Sequence, residues 1–170
     1  MTLANRITIA RIAFIPLVIA LLLIGLNGLA LMLFIVLSLT DAIDGYVARK
    51  YNEVSDLGKI LDPLADKVLV ICVLVTLVGL GYADIVPVIL IVARELIISG
   101  LRAQLATQGT VLAASQLGKW KTVVQIIAIT MLTINFPYAD LVLWLAVVLA
   151  VGSGWVYIWQ SNFLKQLKLN

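Results

Sequence analysis

The chain has 170 residues, of which 63% are hydrophobic, and its mean hydropathy is +1.13. Long apolar runs recur along it, which indicates an integral membrane protein and excludes an ordinary soluble domain. The formal net charge is +3, with one cysteine and no histidine. This composition excludes internal disulfides, cysteine zinc clusters, histidine-ligated metals and Ser-His-Asp triads. Any catalysis must therefore use carboxylates, lysine, arginine, hydroxyls or bound ions.

Six apolar segments, separated by glycine-rich or polar breaks, predict an all-α membrane protein. A transmembrane helix needs about 20 residues to cross the hydrocarbon core. The basic residues Arg6 and Arg11 also predict a short interfacial segment at the N-terminus, lying on anionic lipid. We expect one domain spanning residues 1–170. The six predicted transmembrane helices cover residues 7–25, 28–50, 56–79, 84–106, 113–135 and 139–162.

The basic residues predict the orientation of these helices. Eleven of the twelve fall on the side that holds both chain termini, and Arg94 is the exception. The three opposite connections contain Asp84 and Asp140 but no lysine or arginine. By the positive-inside rule, both termini are cytoplasmic. We therefore expect an integral protein of the bacterial cell membrane whose active site faces the cytoplasm.

The stretch from Asp41 to Lys67 holds six of the nine acidic residues. A solvated loop is the simplest explanation for such a cluster, but chain length argues against it. The uncharged run from Ile12 to Thr40 has only 29 residues, too few for two spans and a turn. The second helix must therefore continue to about residue 50. This places Asp41 and Asp44 inside the helix, where a carboxylate is costly unless it serves a function.

The spacing of these carboxylates predicts a metal site. Asp41 and Asp44 are three residues apart, and Asp62 and Asp66 are four apart, so each pair lies on one helical face. The two helices are neighbours in the sequence, so the two pairs can face each other. Four clustered carboxylates repel one another unless cations neutralise them. Oxygen ligands suit Mg²⁺, and two such ions are typical of phosphoryl-transfer sites.

The same residues carry a resemblance to a known family. The pattern Asp41-x2-Asp44-Gly45-x2-Ala48-Arg49-x8-Gly58-x3-Asp62-x3-Asp66 resembles the signature of the CDP-alcohol phosphotransferases at every fixed position. The resemblance implies transfer of a phosphatidyl group from a CDP-linked lipid to an alcohol, with release of CMP. It also implies two divalent cations, Mg²⁺ or Mn²⁺, and a homodimer.

Individual roles follow from the resemblance by position. The metal ligands would be Asp41, Asp44, Asp62 and Asp66, and Asp66 would also act as general base for the acceptor hydroxyl. The remaining fixed residues would accommodate the cytidine and the pyrophosphate of the CDP-lipid. These residues are Gly45, Ala48, Arg49 and Gly58.

Further motifs narrow the resemblance within the family. The segments Leu61 to Lys67, Ala93 to Glu95 and Leu117 to Thr122 resemble phosphatidylglycerophosphate synthases and the related eukaryotic-type cardiolipin synthases. This resemblance implies CDP-diacylglycerol as donor and sn-glycerol 3-phosphate as acceptor, in the synthesis of phosphatidylglycerol and cardiolipin. Phosphatidylglycerol, which would give cardiolipin, is the second candidate acceptor, and inositol phosphate is the third. Partners would be these substrates and membrane lipids, with no nucleic acid.

Five basic residues are candidate contacts of the acceptor phosphate. Arg102 and Lys119 flank the connection between the fourth and fifth helices, although an orientation signal would also explain them. Lys121 and Lys59 are weaker candidates for the same pocket. Arg94 lies near the middle of its helix, where a charge needs a partner. Since Glu95 is not expected to share its face, Arg94 points either towards the acceptor or into a structural ion pair.

Two other classes of protein remain as alternatives. Intramembrane aspartate and arginine side chains also occur in divalent-cation and proton-coupled transporters. However, transporter sites usually lie at the membrane midplane, and this acidic cluster lies at one face. A purely structural membrane protein would leave the buried carboxylates unexplained. Release of CMP from CDP-diacylglycerol distinguishes the transferase from both.

Overall fold

A computed structural model describes the backbone of residues 3–51, 56–107 and 116–160, and the side chains of residues 9–40, 67–105 and 116–159. Within these ranges the chain forms six α-helices and no strand, which confirms the all-helical prediction. The helices are α1 (Leu3–Leu23), α2 (Asn27–Tyr51), α3 (Asp56–Gly79), α4 (Ile85–Thr107), α5 (Gln116–Thr133) and α6 (Ala139–Gln160).

Three of the helices end in the same hydrogen-bonded motif. At the end of α1, Gly25 has a φ of 80°, and its N–H donates to the carbonyl three residues earlier at 3.0 Å. The next N–H donates to the carbonyl five residues earlier at 2.9 Å. Gly81 after α3 and Asn135 after α5 repeat both bonds, with φ values of 76° and 53°. Glycine and asparagine tolerate this left-handed conformation best, so the sequence sets where these helices stop.

The first helix differs from the prediction at its start. The sequence predicted an interfacial segment followed by a span from about residue 7, whereas α1 is one continuous helix from Leu3. No glycine or proline interrupts residues 3–15, which explains the continuity. Arg11 is only 2% exposed. Its side chain therefore lies inside the protein, and the predicted position on the lipid surface is wrong for this residue.

The described residues group into two compact units. In the first, Met1–Ala83, helix α1 packs against both α2 and α3, and α2 also contacts α3. Apolar side chains from all three helices fill the interior of this unit. They include Val18, Leu22, Phe34, Leu69 and Leu77.

In the second unit, Asp84–Asn170, helix α6 packs against both α5 and α4. Its interior contains apolar side chains such as Ile91, Ile129, Leu143 and Ala146. A separate cluster on the α4–α6 contact contains Ile98, Leu101, Leu105 and Tyr157. The prediction of a single domain over residues 1–170 stays a prediction.

Among the described residues, one helix is long and apolar enough to cross a membrane by length and composition, over Ala139–Trp159. Shorter apolar helical segments occupy Ile9–Leu23, Asn27–Thr40 and Lys67–Gly79. Large apolar side chains are exposed along several helices, including Leu96 and Ile97 on α4 and Trp155 on α6. Such an apolar surface suits contact with lipid or with another protein chain.

Candidate active site

The structure places the four predicted metal-ligand positions on two contacting helices. Asp41 and Asp44 lie in α2, and Asp62 and Asp66 lie in α3. The predicted extension of α2 beyond the apolar run is confirmed, because the helix continues to Tyr51. These aspartates are therefore helical residues and do not belong to a loop. Their helical spacing gives each pair a common face.

The side chains of this acidic segment lie outside the described residues. The same is true of the predicted CDP-lipid residues Gly45, Ala48, Arg49 and Gly58, and of Lys59, although all five have helical backbone. In the part of the chain whose side chains are described, no group of three cysteine, aspartate or glutamate residues could hold a metal ion. The metal-ligand assignment therefore stays a prediction.

The second unit contains a buried polar cluster that joins helices α4 and α5. Glu95 on α4 is 4% exposed and Lys121 on α5 is 7% exposed. The Lys121 ammonium donates a hydrogen bond to Oε1 of Glu95, so the two side chains form a buried ion pair. The guanidinium of Arg94 donates to the same carboxylate oxygen through Nη1 at 3.2 Å. One carboxylate thus binds two cations.

Arg94 extends this cluster to α6. Its Nε donates to the Ala150 carbonyl at 3.0 Å, and its Nη2 donates to the Ser153 hydroxyl at 2.9 Å. The Ser153 hydroxyl donates in turn to the same Ala150 carbonyl at 3.0 Å. The arginine passes directly beside α6: a Cβ built on Gly154 would lie 3.5 Å from Cγ and Nε of Arg94, which is an ordinary van der Waals contact. The guanidinium is therefore held by contacts to both α4 and α6.

The contacts of Arg94 decide one point that the sequence left open. Arg94 does take part in an ion pair, and its partner is the adjacent residue Glu95. The sequence analysis did not expect Glu95 as the partner, because adjacent residues do not share a helix face. Neighbouring Cβ atoms do diverge on a helix, but the long arginine side chain curves far enough to reach the adjacent carboxylate.

The remaining candidates in this unit have different surroundings. Arg102 is exposed, and its guanidinium carbon lies 5.0 Å from the centre of the Tyr157 ring. This distance is typical of a cation–π contact. Lys119 is exposed at the start of α5, only two residues from the buried Lys121. Lys119 and Lys121 therefore differ in burial, a difference that the sequence alone does not show.

Several residues of this cluster were not among the predicted site residues. Glu95 was considered only as a neighbour of Arg94, and Ser153 and Gln125 were not considered. Gln125 follows Lys121 by one helical turn and is 3% exposed, and its Nε2 has no hydrogen-bond partner among the side chains that the structure describes. The available sequence signal was a polar residue inside an apolar helix, which applies to all three. Pairing across 26 residues between Glu95 and Lys121 cannot be deduced from spacing.

Comparison with known proteins gives consistent matches over nearly the whole chain. A family model described as CDP-alcohol phosphatidyltransferase matches residues 1–152. A Bacillus subtilis protein named CDP-diacylglycerol–glycerol-3-phosphate 3-phosphatidyltransferase is 44% identical, over 91% of this chain and 92% of the relative. Proteins with the same name from Rickettsia bellii and Rickettsia typhi are 43% and 42% identical, over 91% of this chain and 92% and 94% of the relatives.

Proposed function

Because the chain belongs to the CDP-alcohol phosphatidyltransferase family, we propose that it transfers the phosphatidyl group of CDP-diacylglycerol to sn-glycerol 3-phosphate. The products are phosphatidylglycerophosphate and CMP, and the reaction belongs to phospholipid biosynthesis. The observation that carries this assignment is the identity of 41–44% to proteins named for this reaction, over 91% of the chain.

The four aspartates of α2 and α3 are the proposed ligands of two divalent cations. The donor set fits these ions, because carboxylate oxygens are hard ligands and the two helices that carry them contact each other. The ligands are Asp41, Asp44, Asp62 and Asp66. Bound Mg²⁺ or Mn²⁺ would supply neutralisation of charge on the pyrophosphate.

The chain's own residues would perform the remaining steps. Asp66 takes the proton of the acceptor hydroxyl as that oxygen attacks the phosphorus that carries the diacylglycerol. The bond between this phosphorus and the oxygen of CMP breaks, and CMP leaves with the electron pair. Arg49 binds the phosphates, and the small residues Gly45, Ala48 and Gly58 leave room for the cytidine diphosphate. Phosphoryl transfer depends mainly on positioning and on stabilising charge, so histidine is not required.

The acceptor phosphate would be bound by basic residues of the second unit. Arg102 lies near the end of α4 and Lys119 lies near the start of α5, and both side chains are exposed. In the sequence, residues 108–115 connect these two helix ends. A dianionic acceptor that approaches an anionic pyrophosphate needs cationic guidance, whereas a neutral alcohol does not. Lys121 and Arg94 are further candidate contacts in this unit, and both already bind Glu95. Lys59 of α3 stays a candidate from the sequence alone.

We propose that all six helices cross the membrane with both termini in the cytoplasm. Support comes from the family, from the apolar surface, and from the one-sided distribution of basic residues. The active site would then face the cytoplasm of a bacterial cell, where glycerol 3-phosphate is soluble and accessible. The other proposed partners are membrane lipids and a second copy of the chain.

The assignment is tested by product identification. Purified protein is incubated with CDP-diacylglycerol, Mg²⁺ and one acceptor at a time, and CMP and the lipid products are measured. We expect phosphatidylglycerophosphate from glycerol 3-phosphate. Formation of cardiolipin from phosphatidylglycerol, with glycerol 3-phosphate ignored, would refute the acceptor while leaving the family assignment intact. A transporter would release no CMP with any acceptor.

The acceptor site is tested by steady-state kinetics of two single variants. One charge-assisted contact contributes roughly 1.5–3 kcal/mol, so Arg102→Ala or Lys119→Ala should raise the KM for glycerol 3-phosphate by about tenfold or more. The KM for CDP-diacylglycerol should stay nearly unchanged. Lys168→Ala is the matched control, because it removes a basic residue far along the chain from the α4–α5 connection. Equal acceptor KM values for all these variants and the unmodified protein would exclude this site.

A further inference from the structure

We infer that Glu95 is a positioning residue for recognition of the acceptor, and that it acts through Lys121. This inference rests on the proposed function, in which Arg102 and Lys119 contact the acceptor phosphate. Glu95 itself need not touch a substrate. Its contribution is to fix the register of α5 relative to α4 through the side-chain ion pair with Lys121.

The geometry of the second unit supports a linking role. Helix α6 packs against both α4 and α5, while the Glu95–Lys121 ion pair connects α4 directly to α5. Lys121 lies two residues, or about 3 Å of helix rise, from Lys119. Glu95 lies seven residues, or roughly 10 Å of rise, from Arg102. The ion pair is therefore well placed to fix the relative positions of the two proposed phosphate contacts.

The carboxylate is itself held firmly. Arg94 binds Glu95 at 3.2 Å and is bound to α6 through the Ala150 carbonyl and the Ser153 hydroxyl. Both carbonyl and hydroxyl belong to a helix that packs against α4 and α5. Arg94 therefore fixes the position of the Glu95 carboxylate relative to α6, and Glu95 in turn fixes the position of the Lys121 ammonium.

Stability alone is a weak explanation for such a cluster. Removing two charges from water costs about as much as their mutual attraction returns, so apolar side chains of similar volume at these two positions would stabilise the unit as well. In some proteins a buried polar or ionic group does fix register, because its geometry is directional and misaligned alternatives leave it without a partner. A cluster of this kind next to a proposed phosphate site indicates positioning.

The test is a double-mutant cycle on Glu95→Gln and Lys121→Gln, measured as KM for each substrate. We expect each single replacement to raise the KM for glycerol 3-phosphate by roughly tenfold, as for loss of one charge-assisted contact. The KM for CDP-diacylglycerol should change by less than about twofold, within the scatter expected of independent sites. Because Glu95 acts through Lys121, the double variant should resemble the more affected single variant and should not show the product of both effects.

The matched control is Asp140→Asn, which removes an exposed carboxylate at the start of α6. It should leave both KM values unchanged. Thermal unfolding of every variant is measured beside the kinetics. A lowered unfolding temperature with both KM values unchanged would overturn the inference, because it would show a purely structural role. A multiplicative effect in the double variant would overturn it too, because the residues would then act independently.

Two further outcomes are distinguishable. If Glu95→Gln does not accumulate because the Lys121 ammonium has lost the Glu95 carboxylate, the double variant restores a neutral pair of amides and is compared with the unmodified protein. An unchanged acceptor KM in that variant would overturn the inference. If the unmodified protein uses phosphatidylglycerol instead of glycerol 3-phosphate, the proposed function fails. A selective rise in the KM for phosphatidylglycerol in Glu95→Gln would then still support positioning.

Discussion

Replacement of Arg94 by methionine should destabilise the protein by about 2 kcal/mol. The change removes the hydrogen bonds to the Ala150 carbonyl and the Ser153 hydroxyl, and the ion pair with Glu95. Polar contacts between membrane helices contribute about 0.6 kcal/mol on average, whereas removing one member of a buried ion pair costs roughly 3–5 kcal/mol. The expected loss of stability for Arg94→Met lies between these two limits because Lys121 still binds the Glu95 carboxylate. Methionine preserves most of the side-chain volume.

The assay is thermal unfolding of the detergent-solubilised protein, followed by tryptophan fluorescence. Trp144, Trp155 and Trp159 all lie on α6, the helix that binds the guanidinium. For a chain of this size, 2 kcal/mol corresponds to a decrease in Tm of roughly 4–8 °C. Ser153→Ala is the control, because it removes one hydrogen-bond acceptor and should lower Tm by about 2 °C. A Tm for Arg94→Met equal to that of the unmodified protein would refute the described contacts.

Three further predictions concern the metal site, the general base and the orientation in the membrane. Excess chelator should abolish CMP release, Mg²⁺ or Mn²⁺ should restore it, and Ca²⁺ should support little turnover; full activity in chelator would exclude a metal site. Asp66→Asn should lower kcat by about 10²–10⁴-fold while most of the CDP-lipid affinity is retained, whereas Asp41→Asn should weaken metal and CDP-lipid binding. Near-normal turnover of Asp66→Asn would contradict its role as general base. In a Cys72→Ser background, a membrane-impermeant thiol reagent added to intact cells should label Tyr138→Cys but not Lys119→Cys, and the reverse pattern would invert the topology.

The sequence was sufficient to predict most of the helical structure. Three helix ends coincide with residues that tolerate positive φ, and these residues were visible as breaks in the apolar pattern. The extension of α2 to Tyr51 followed from the length of the uncharged run Ile12 to Thr40, because that run is too short to contain two membrane spans. That argument also placed Asp41 and Asp44 inside a helix, which is the central feature of the proposed metal site.

The contacts of the second unit could not be predicted in the same way. Periodicity shows which residues share a helix face, but it does not show which faces meet. Lys121 is buried and pairs with Glu95 of α4, whereas Lys119 is exposed, and this difference is a tertiary property. The burial of Arg11 was missed for the same reason. A basic residue near the N-terminus predicts a surface position unless the surrounding helices are known.

The surroundings of Glu95 fit the demands of an anionic acceptor. A carboxylate with a free negative charge close to a phosphate site would repel glycerol 3-phosphate and weaken binding. This unit has two other acidic residues with described side chains, Asp84 and Asp140, and both are exposed. Asp84 precedes α4 and Asp140 follows α5, whereas Arg102 lies near the end of α4 and Lys119 near the start of α5. Glu95 alone is buried, and it binds both Arg94 and Lys121. Two cations on one carboxylate let it hold the helices in register without presenting a negative charge to the substrate.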